Sequence, residues 1–151
     1  MMIIVTHTSF ILGGIIIEQG CKTRDKRKIK DMGIANETQN AETRPWGGYQ
    51  ILLDSEYCKV KKLIINPKKR FSLQYHNKRN ETWTIIKGKL KITVDKKESV
   101  YSYGETISVS VGTLHRIENI GDEAAELIEV QTGSYFGEDD IVRIEDDFGR
   151  K

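Results

Sequence analysis

Four residues carry the chemistry that this sequence can offer. Gln74, His76 and Glu81 fall within eight positions, and His115 follows three residues after Gly112. Side chains alternate across a strand, so Gln74 and His76 project to one face. A turn at Asn77–Asn80 returns the chain and sets Glu81 beside them. His115, Ile117 and Asn119 share one face of a later strand. If that strand neighbours the first, four oxygen and nitrogen donors converge. Imidazole, carboxylate and amide together suit zinc, manganese, iron, cobalt or nickel. Such a ligand set leaves room for water or substrate, as in a catalytic site. Taken singly, a strand histidine is more often a surface or hydrogen-bonded residue than a ligand. His7 has no such neighbours and is read that way.

The elements that must position these residues are short strands. β-Branched and aromatic runs recur at 49–53, 57–65, 71–76, 82–86, 90–94, 99–103, 106–111, 115–120 and 127–132. Turn signals separate them, among them Asn66-Pro67, Lys87-Gly88, Gly104, Gly112 and Gly121-Asp122. This rhythm means an all-β sandwich or barrel, not alternating strands and helices. Leu90, Ile92 and Val94 alternate with Lys89, Lys91 and Thr93, giving one dry face and one wet face. The acidic tail after Gly137 is expected to hold a turn of helix. Residues 1–43 differ in character. Residues 2–17 read as a hairpin around Gly13-Gly14, and a basic, then polar, linker follows. Six basic residues lie between Lys22 and Lys30. No aromatic residue is interleaved for base stacking, so this run reads as a solvated face and not a nucleic-acid site.

Composition bounds the rest. The chain has 151 residues, 38% hydrophobic and 30% charged, with net charge +2, as expected for one soluble domain. That charge implies neither nucleic acid nor an anionic membrane. The two cysteines, Cys21 and Cys58, form no CxxC pair, which removes zinc fingers, dithiol redox motifs and disulfide scaffolds. The apolar run Phe10–Ile17 is half a membrane span. The opening stretch lacks the marks of a signal peptide, so a cytoplasmic protein is expected.

The motifs add a resemblance. Residues 104–119, GETISVSVGTLHRIEN, are similar to the second cupin motif through Gly104, Gly112, His115 and Asn119, with Ser110 replacing the usual Pro. Gln74-x-His76-x4-Glu81-x6-Gly88 resembles the first cupin motif, with Gln in place of its first His. That variant, with RPWGGY at 44–49, FSLQYHNKRNETW at 71–83 and EVQTGSYFGEDDIVRIEDDFGR at 129–150, resembles the C-terminal domain of type II phosphomannose isomerases. These domains usually follow a mannose-1-phosphate guanylyltransferase domain. The resemblance covers residues 44–150. It implies a cupin barrel (a double-stranded β-helix, or jelly roll) over 44–151. Residues 1–43 would be a short extension, either new or a remnant of the transferase domain.

It further implies a divalent metal held by Gln74, His76, Glu81 and His115, and interconversion of mannose 6-phosphate and fructose 6-phosphate for GDP-mannose and polysaccharide precursors. Arg79, Lys78 and Glu118 are candidates for moving the proton. Arg44, Arg70 and Arg143 are candidates for the phosphate, since a guanidinium fork matches its oxygens. Trp46 and Trp83 could line a sugar pocket but are more often core. The expected partner is a small sugar phosphate, with no nucleic acid and no membrane, and a homodimer is the expected association state. The family commonly has histidines where this chain has Asn77, Lys78 and Thr82, so weakened proton transfer is expected. Two other readings compete: a cupin that binds a sugar or nucleotide sugar without turnover, and another cupin enzyme such as an oxygenase or epimerase.

Overall fold

The computed structural model describes residues 40–150. The hairpin at 2–17, the basic run and most of the polar linker lie outside the described residues. Within them the chain forms β1 (Ala41–Arg44), β2 (Gly47–Asp54), β3 (Cys58–Ile65), β4 (Leu73–His76), β5 (Arg79–Lys87), β6 (Lys89–Val94), β7 (Lys97–Ser102), β8 (Thr106–Val109), β9 (His115–Asn119), β10 (Ala125–Gly133) and β11 (Ile141–Glu145). A single 3-10 turn, Glu138–Asp140, precedes β11. The strands make two sheets, ordered β1-β2-β3-β10-β5-β8 and β11-β4-β9-β6-β7. From β3 onward the chain changes sheet at every connection except the β6–β7 hairpin. That winding is the double-stranded β-helix expected from the motifs.

Two differences from the sequence reading matter. The segment from β4 to β5 is not a hairpin, because β4 and β5 belong to facing sheets. The chain crosses the barrel at Asn77-Lys78, so Glu81 meets His76 from the opposite side. Asp140 secures this crossing by accepting the Asn77 and Lys78 backbone N–H groups at 3.2 and 3.1 Å. The second difference is at the ends. β1 begins within the stretch read as linker, and the tail, which holds the expected turn of helix at Glu138–Asp140, continues as strand β11, paired with β4. β1 lacks a β-branched run, and the one in β11, Ile141-Val142-Arg143-Ile144, is set among acidic residues that mask it in the sequence.

Strand register sorts the barrel interior into layers. Leu127 of β10 faces Leu63 and Ile85 on its two neighbours. The next inward residue, Glu129, faces Lys61 and Trp83, and Gln131 faces Lys59 and Glu81. One half of the interior is therefore apolar, with Ile65, Ile85, Leu90, Ile117, Ala125 and Leu127 all fully buried. The other half is polar, with Gln74, His76, Arg79, Glu81, His115, Glu129 and Gln131 buried there. The apolar half carries the hydrophobic stabilisation, so the polar half can be given over to chemistry. Gly88 turns the chain between β5 and β6 at φ +84, and a Cβ there would stand 2.9 Å from Ala125 Cβ. Asn119 is a structural tie. Its Nδ2 donates to the carbonyls of Ile65 and Glu123 at 2.8 Å and of Asn66 at 3.2 Å, and its Oδ1 accepts the Gly121 N–H at 2.9 Å.

Candidate metal centre

β4 and β9 pair with Gln74 opposite His115, the adjacency that the sequence reading required. Glu81 enters from β5 in the facing sheet. One donor atom from each of His76, Glu81 and His115 lies within 4.8 Å of the others. His76 Nε2 is 3.1 Å from Glu81 Oε1, and His115 Nε2 is 3.8 Å from Glu81 Oε2. The imidazole centroids are 5.0 Å apart. His115 Nδ1 lies 2.9 Å from the Thr113 carbonyl. Donation there fixes the tautomer and leaves the Nε2 lone pair facing Glu81. Gln74 accepts the Ser72 hydroxyl at 2.6 Å through Oε1, which retains a second lone pair.

The fit to a cation rests on atoms left without partners. Both nitrogens of His76 and Nε2 of His115 are buried with no hydrogen bond; the 3.1 Å approach of His76 to Glu81 lacks hydrogen-bond alignment. Each such atom costs about 1–3 kcal/mol when unsatisfied. A divalent ion held by His76, Glu81 and His115 would remove part of that cost and match the donor chemistry. Burial lowers the His115 pKa, a shift that the charge of Glu81 opposes and that of His76 reinforces, which favours the neutral ligand form. Burial works against ionisation of Glu81, but contact with His76 and the charges of His115 and Arg79 hold its carboxyl well below the usual range.

Around Glu81 the polar interior is closely bonded. Arg79 Nε donates to Glu81 Oε1 at 3.0 Å and its Nη1 to the Gly137 carbonyl at 2.8 Å. Gln131 Nε2 bridges Glu81 Oε1 at 3.2 Å and Glu129 Oε2 at 2.8 Å. Trp83 Nε1 donates to Glu129 Oε1 at 3.2 Å. A cleft reaches this interior. It is lined by Gln74, Arg79, Glu81, Glu129 and Gln131 within and by Arg44, Lys61, Glu138, Arg143 and Arg150 among its other residues.

Several expected site residues stand elsewhere. Lys78 is exposed, its ammonium 4.8 Å from the Tyr135 ring centroid. Glu118 points to the outer face of β9, opposite to His115, and pairs with Lys91 at 2.8 Å. Arg70 is held by two bonds to Asp147 at 2.7 and 2.8 Å and does not line the cleft. Strand alternation decides the Glu118 case, and the outward Arg70–Glu118 bridge decides the Arg70 case. Arg79 is inside but is a fixed cation, unsuited to act as base. Arg44 and Arg143 do line the cleft, as does Trp46; Trp83 is core with its N–H turned to Glu129. Asn77 is exposed, and Thr82 faces outward to Ser108 at 3.1 Å. Their departures from the family pattern therefore lie outside the metal centre. The sequence reading missed Glu129, Gln131, Lys61, Glu138 and Arg150.

The geometry has counterparts among known proteins. Residues 33–146 match the family model described as mannose-6-phosphate isomerase C-terminal. The chain belongs to that family. A mannose-1-phosphate guanylyltransferase of Sinorhizobium fredii is 37% identical over 81% of the chain and 24% of its own length. The alginate biosynthesis protein AlgA of Pseudomonas aeruginosa is 38% identical over 83% of the chain and 27% of its own length. The chain thus spans about a quarter of the length of these curated relatives. Among solved structures, KdgF from Halomonas sp. aligns with TM-score 0.62 at 10% identity over 70% of the chain and 94% of its own. The cupin domain of Schizosaccharomyces pombe Cnp3 aligns with TM-score 0.60 at 17% identity over 68% and 74%. At such identities these two support the cupin fold alone. No helix among the described residues is long and apolar enough to cross a membrane.

Proposed function

We propose that this chain interconverts mannose 6-phosphate and fructose 6-phosphate at the His76–Glu81–His115 centre. The observation that carries this reading is a buried trio with orphaned imidazole nitrogens, standing behind a cleft that cations line. Family membership supplies the substrate class. A divalent ion held there by His76, Glu81 and His115, with Gln74 beside them, would supply Lewis acidity toward the sugar oxygens. The chain's own residues do the rest. Arg44 and Arg143, joined by Lys61 and Arg150, bind the phosphate. Glu138 already shows an anion accommodated in that setting, with Lys61 Nζ at 2.5 Å and Arg44 Nη2 at 3.8 Å. Arg79 holds the Glu81 carboxylate in place and ionised. Burial of the trio at 1–3% exposure excludes bulk water from the reacting carbons, which keeps an enediol from side reactions.

The names of relatives in alginate and xanthan biosynthesis support a role in supplying mannose units for GDP-mannose and polysaccharide synthesis. A coupled assay following fructose 6-phosphate, on protein stripped of metal and then reloaded with manganese, zinc or cobalt, tests the reading. Turnover that returns with metal supports it. A loaded protein that binds mannose 6-phosphate without converting it makes the chain a binding module instead.

A further inference from the structure

Aldose–ketose isomerisation needs one group that takes the C2 proton and returns it to C1, and the expected candidates do not serve. Lys78 and Glu118 are outside the barrel interior, and the Arg79 guanidinium is a donor-only group with no lone pair to take a proton. Of the acids lining the cleft, Glu81 is committed to the trio and to Arg79. Glu138 is held ionised: burial opposes this, but the charge and hydrogen bond of Lys61 outweigh it, helped by Arg79 and Arg44. Glu129 remains. It is 4% exposed, lies one inward position from Gln131 on β10, and faces Lys61 on one neighbouring strand and Trp83 on the other. Its two oxygens are aimed by two separate donors, Trp83 Nε1 on Oε1 and Gln131 Nε2 on Oε2. A carboxylate retains lone pairs beyond those two bonds, so it is oriented without being used up.

We infer that Glu129 is the proton carrier of the isomerase, and that Trp83 and Gln131 are its positioning residues. The inference rests on the isomerase reading above. The step balances as follows. Glu129 carboxylate takes the C2 proton; the C–H electron pair forms the C1=C2 bond and the carbonyl electrons move to O1, giving a cis-enediolate. Glu129 carboxylic acid then delivers that proton to C1, while the hydroxyl proton of O2 passes to O1 and C2 becomes the carbonyl. Nothing else is consumed. Burial and the neighbouring Glu81 charge push the Glu129 pKa up to about 8, against the pull of Lys61, Arg79 and the Trp83 bond. The carboxylate form of such a group is a stronger base than an ordinary carboxylate, and it is the form that acts as pH passes the group's pKa. His76 and His115, on the facing sheet, are the other titratable groups buried in this polar interior.

The test is Glu129→Gln, with Glu129→Ala as a second variant and Glu129→Asp as the conservative one. Each is loaded with manganese and compared with wild type for metal content, mannose 6-phosphate binding by calorimetry, and steady-state kinetics. Glu129→Gln and Glu129→Ala should keep metal content and bind substrate within about threefold, yet lose about 10²–10⁴-fold in kcat. Glu129→Asp should recover part of the loss. The acidic limb of the wild-type kcat/KM profile should vanish from the residual activity of Glu129→Gln. If either loaded variant keeps wild-type kcat, the proton carrier is another group and only this inference fails. If loaded wild type binds the substrate but does not turn it over, the isomerase reading fails and takes this inference with it.

Discussion

Replacing Glu129 by Gln should change how stability depends on pH in the metal-free protein. Glu129 is buried with Glu81 nearby, and its pKa rises from 4.5 to about 8. An acid whose folded pKa is raised stabilises the fold while protonated. Between those two values the unfolded chain has released the proton and the folded chain still holds it. Stability therefore falls with pH, by about 1.4 kcal/mol per unit from this one group. From pH 5 to pH 7 that amounts to about 3 kcal/mol. Gln cannot titrate, so the stability of Glu129→Gln relative to wild type should rise by this amount over the same range. The other titrating groups are common to both chains, and Glu81, whose charge acts on Glu129, is held ionised across this range, so they cancel in the difference. Urea unfolding at pH 5, 6 and 7 measures it. With an m-value of about 1–1.5 kcal/mol/M for a domain this size, the two midpoints should diverge by roughly 2 M. Adding manganese should shrink the divergence, since a cation beside Glu81 offsets the charge that helps hold Glu129 up. Parallel profiles for the two metal-free proteins would refute this account of the polar interior.

The remaining expectations are these. Asn119→Ala strands the carbonyls of Ile65 and Glu123 and the Gly121 N–H; it should cost about 3 kcal/mol and lower the thermal midpoint by more than roughly 10 °C. A midpoint within a few degrees of wild type would contradict the tie. Arg143→Gln and Arg44→Gln should raise KM for mannose 6-phosphate by about tenfold or more with little change in kcat, whereas Arg70→Gln, outside the cleft, should leave KM unchanged. Equal effects from all three would break the phosphate assignment. The double variant Asn77→His with Thr82→His should match wild type in metal content and turnover, because both positions lie outside the barrel interior. A large gain in turnover would show that they act on the site.

The trio was legible through the resemblance to the two cupin motifs; strand alternation alone set Gln74 beside His76 but brought Glu81 back by a hairpin that the structure does not form. His76 and Glu81 flank a crossing, and His115 begins the strand that pairs with Gln74. Glu129 and Gln131 were hidden by their neighbours. In Leu127-Ile-Glu-Val-Gln131 the usual pattern turns Ile128 and Val130 inward, yet the structure buries Glu129 and Gln131 and leaves Ile128 and Val130 half-exposed. The inward Leu127 two positions earlier carried the correct phase. Lys61 was hidden in the same way, since a lysine in phase with Leu63 and Ile65 reads as an error in a core face. A polar barrel interior inverts the rule that sequence patterning depends on. Glu118 failed for the converse reason: its chemistry suited a base, but strand alternation places it opposite to His115. The outward direction of Thr82 follows from the same alternation on β5, where Glu81 and Trp83 point in. Arg44 and Arg143 were named together for the phosphate from their side-chain chemistry, although they come from β1 and β11, the two strands that the sequence rhythm missed; the folded chain brings both to one cleft and leaves Arg70 outside it.

The central claim is that the trio binds a metal on which isomerase activity depends. Its most direct test measures bound manganese by elemental analysis and fructose 6-phosphate formation on the same samples of wild type and His115→Ala. The account predicts about one ion per chain with turnover in wild type, and loss of both in a folded His115→Ala protein. Turnover that survives in metal-free wild type, or in His115→Ala, would contradict it.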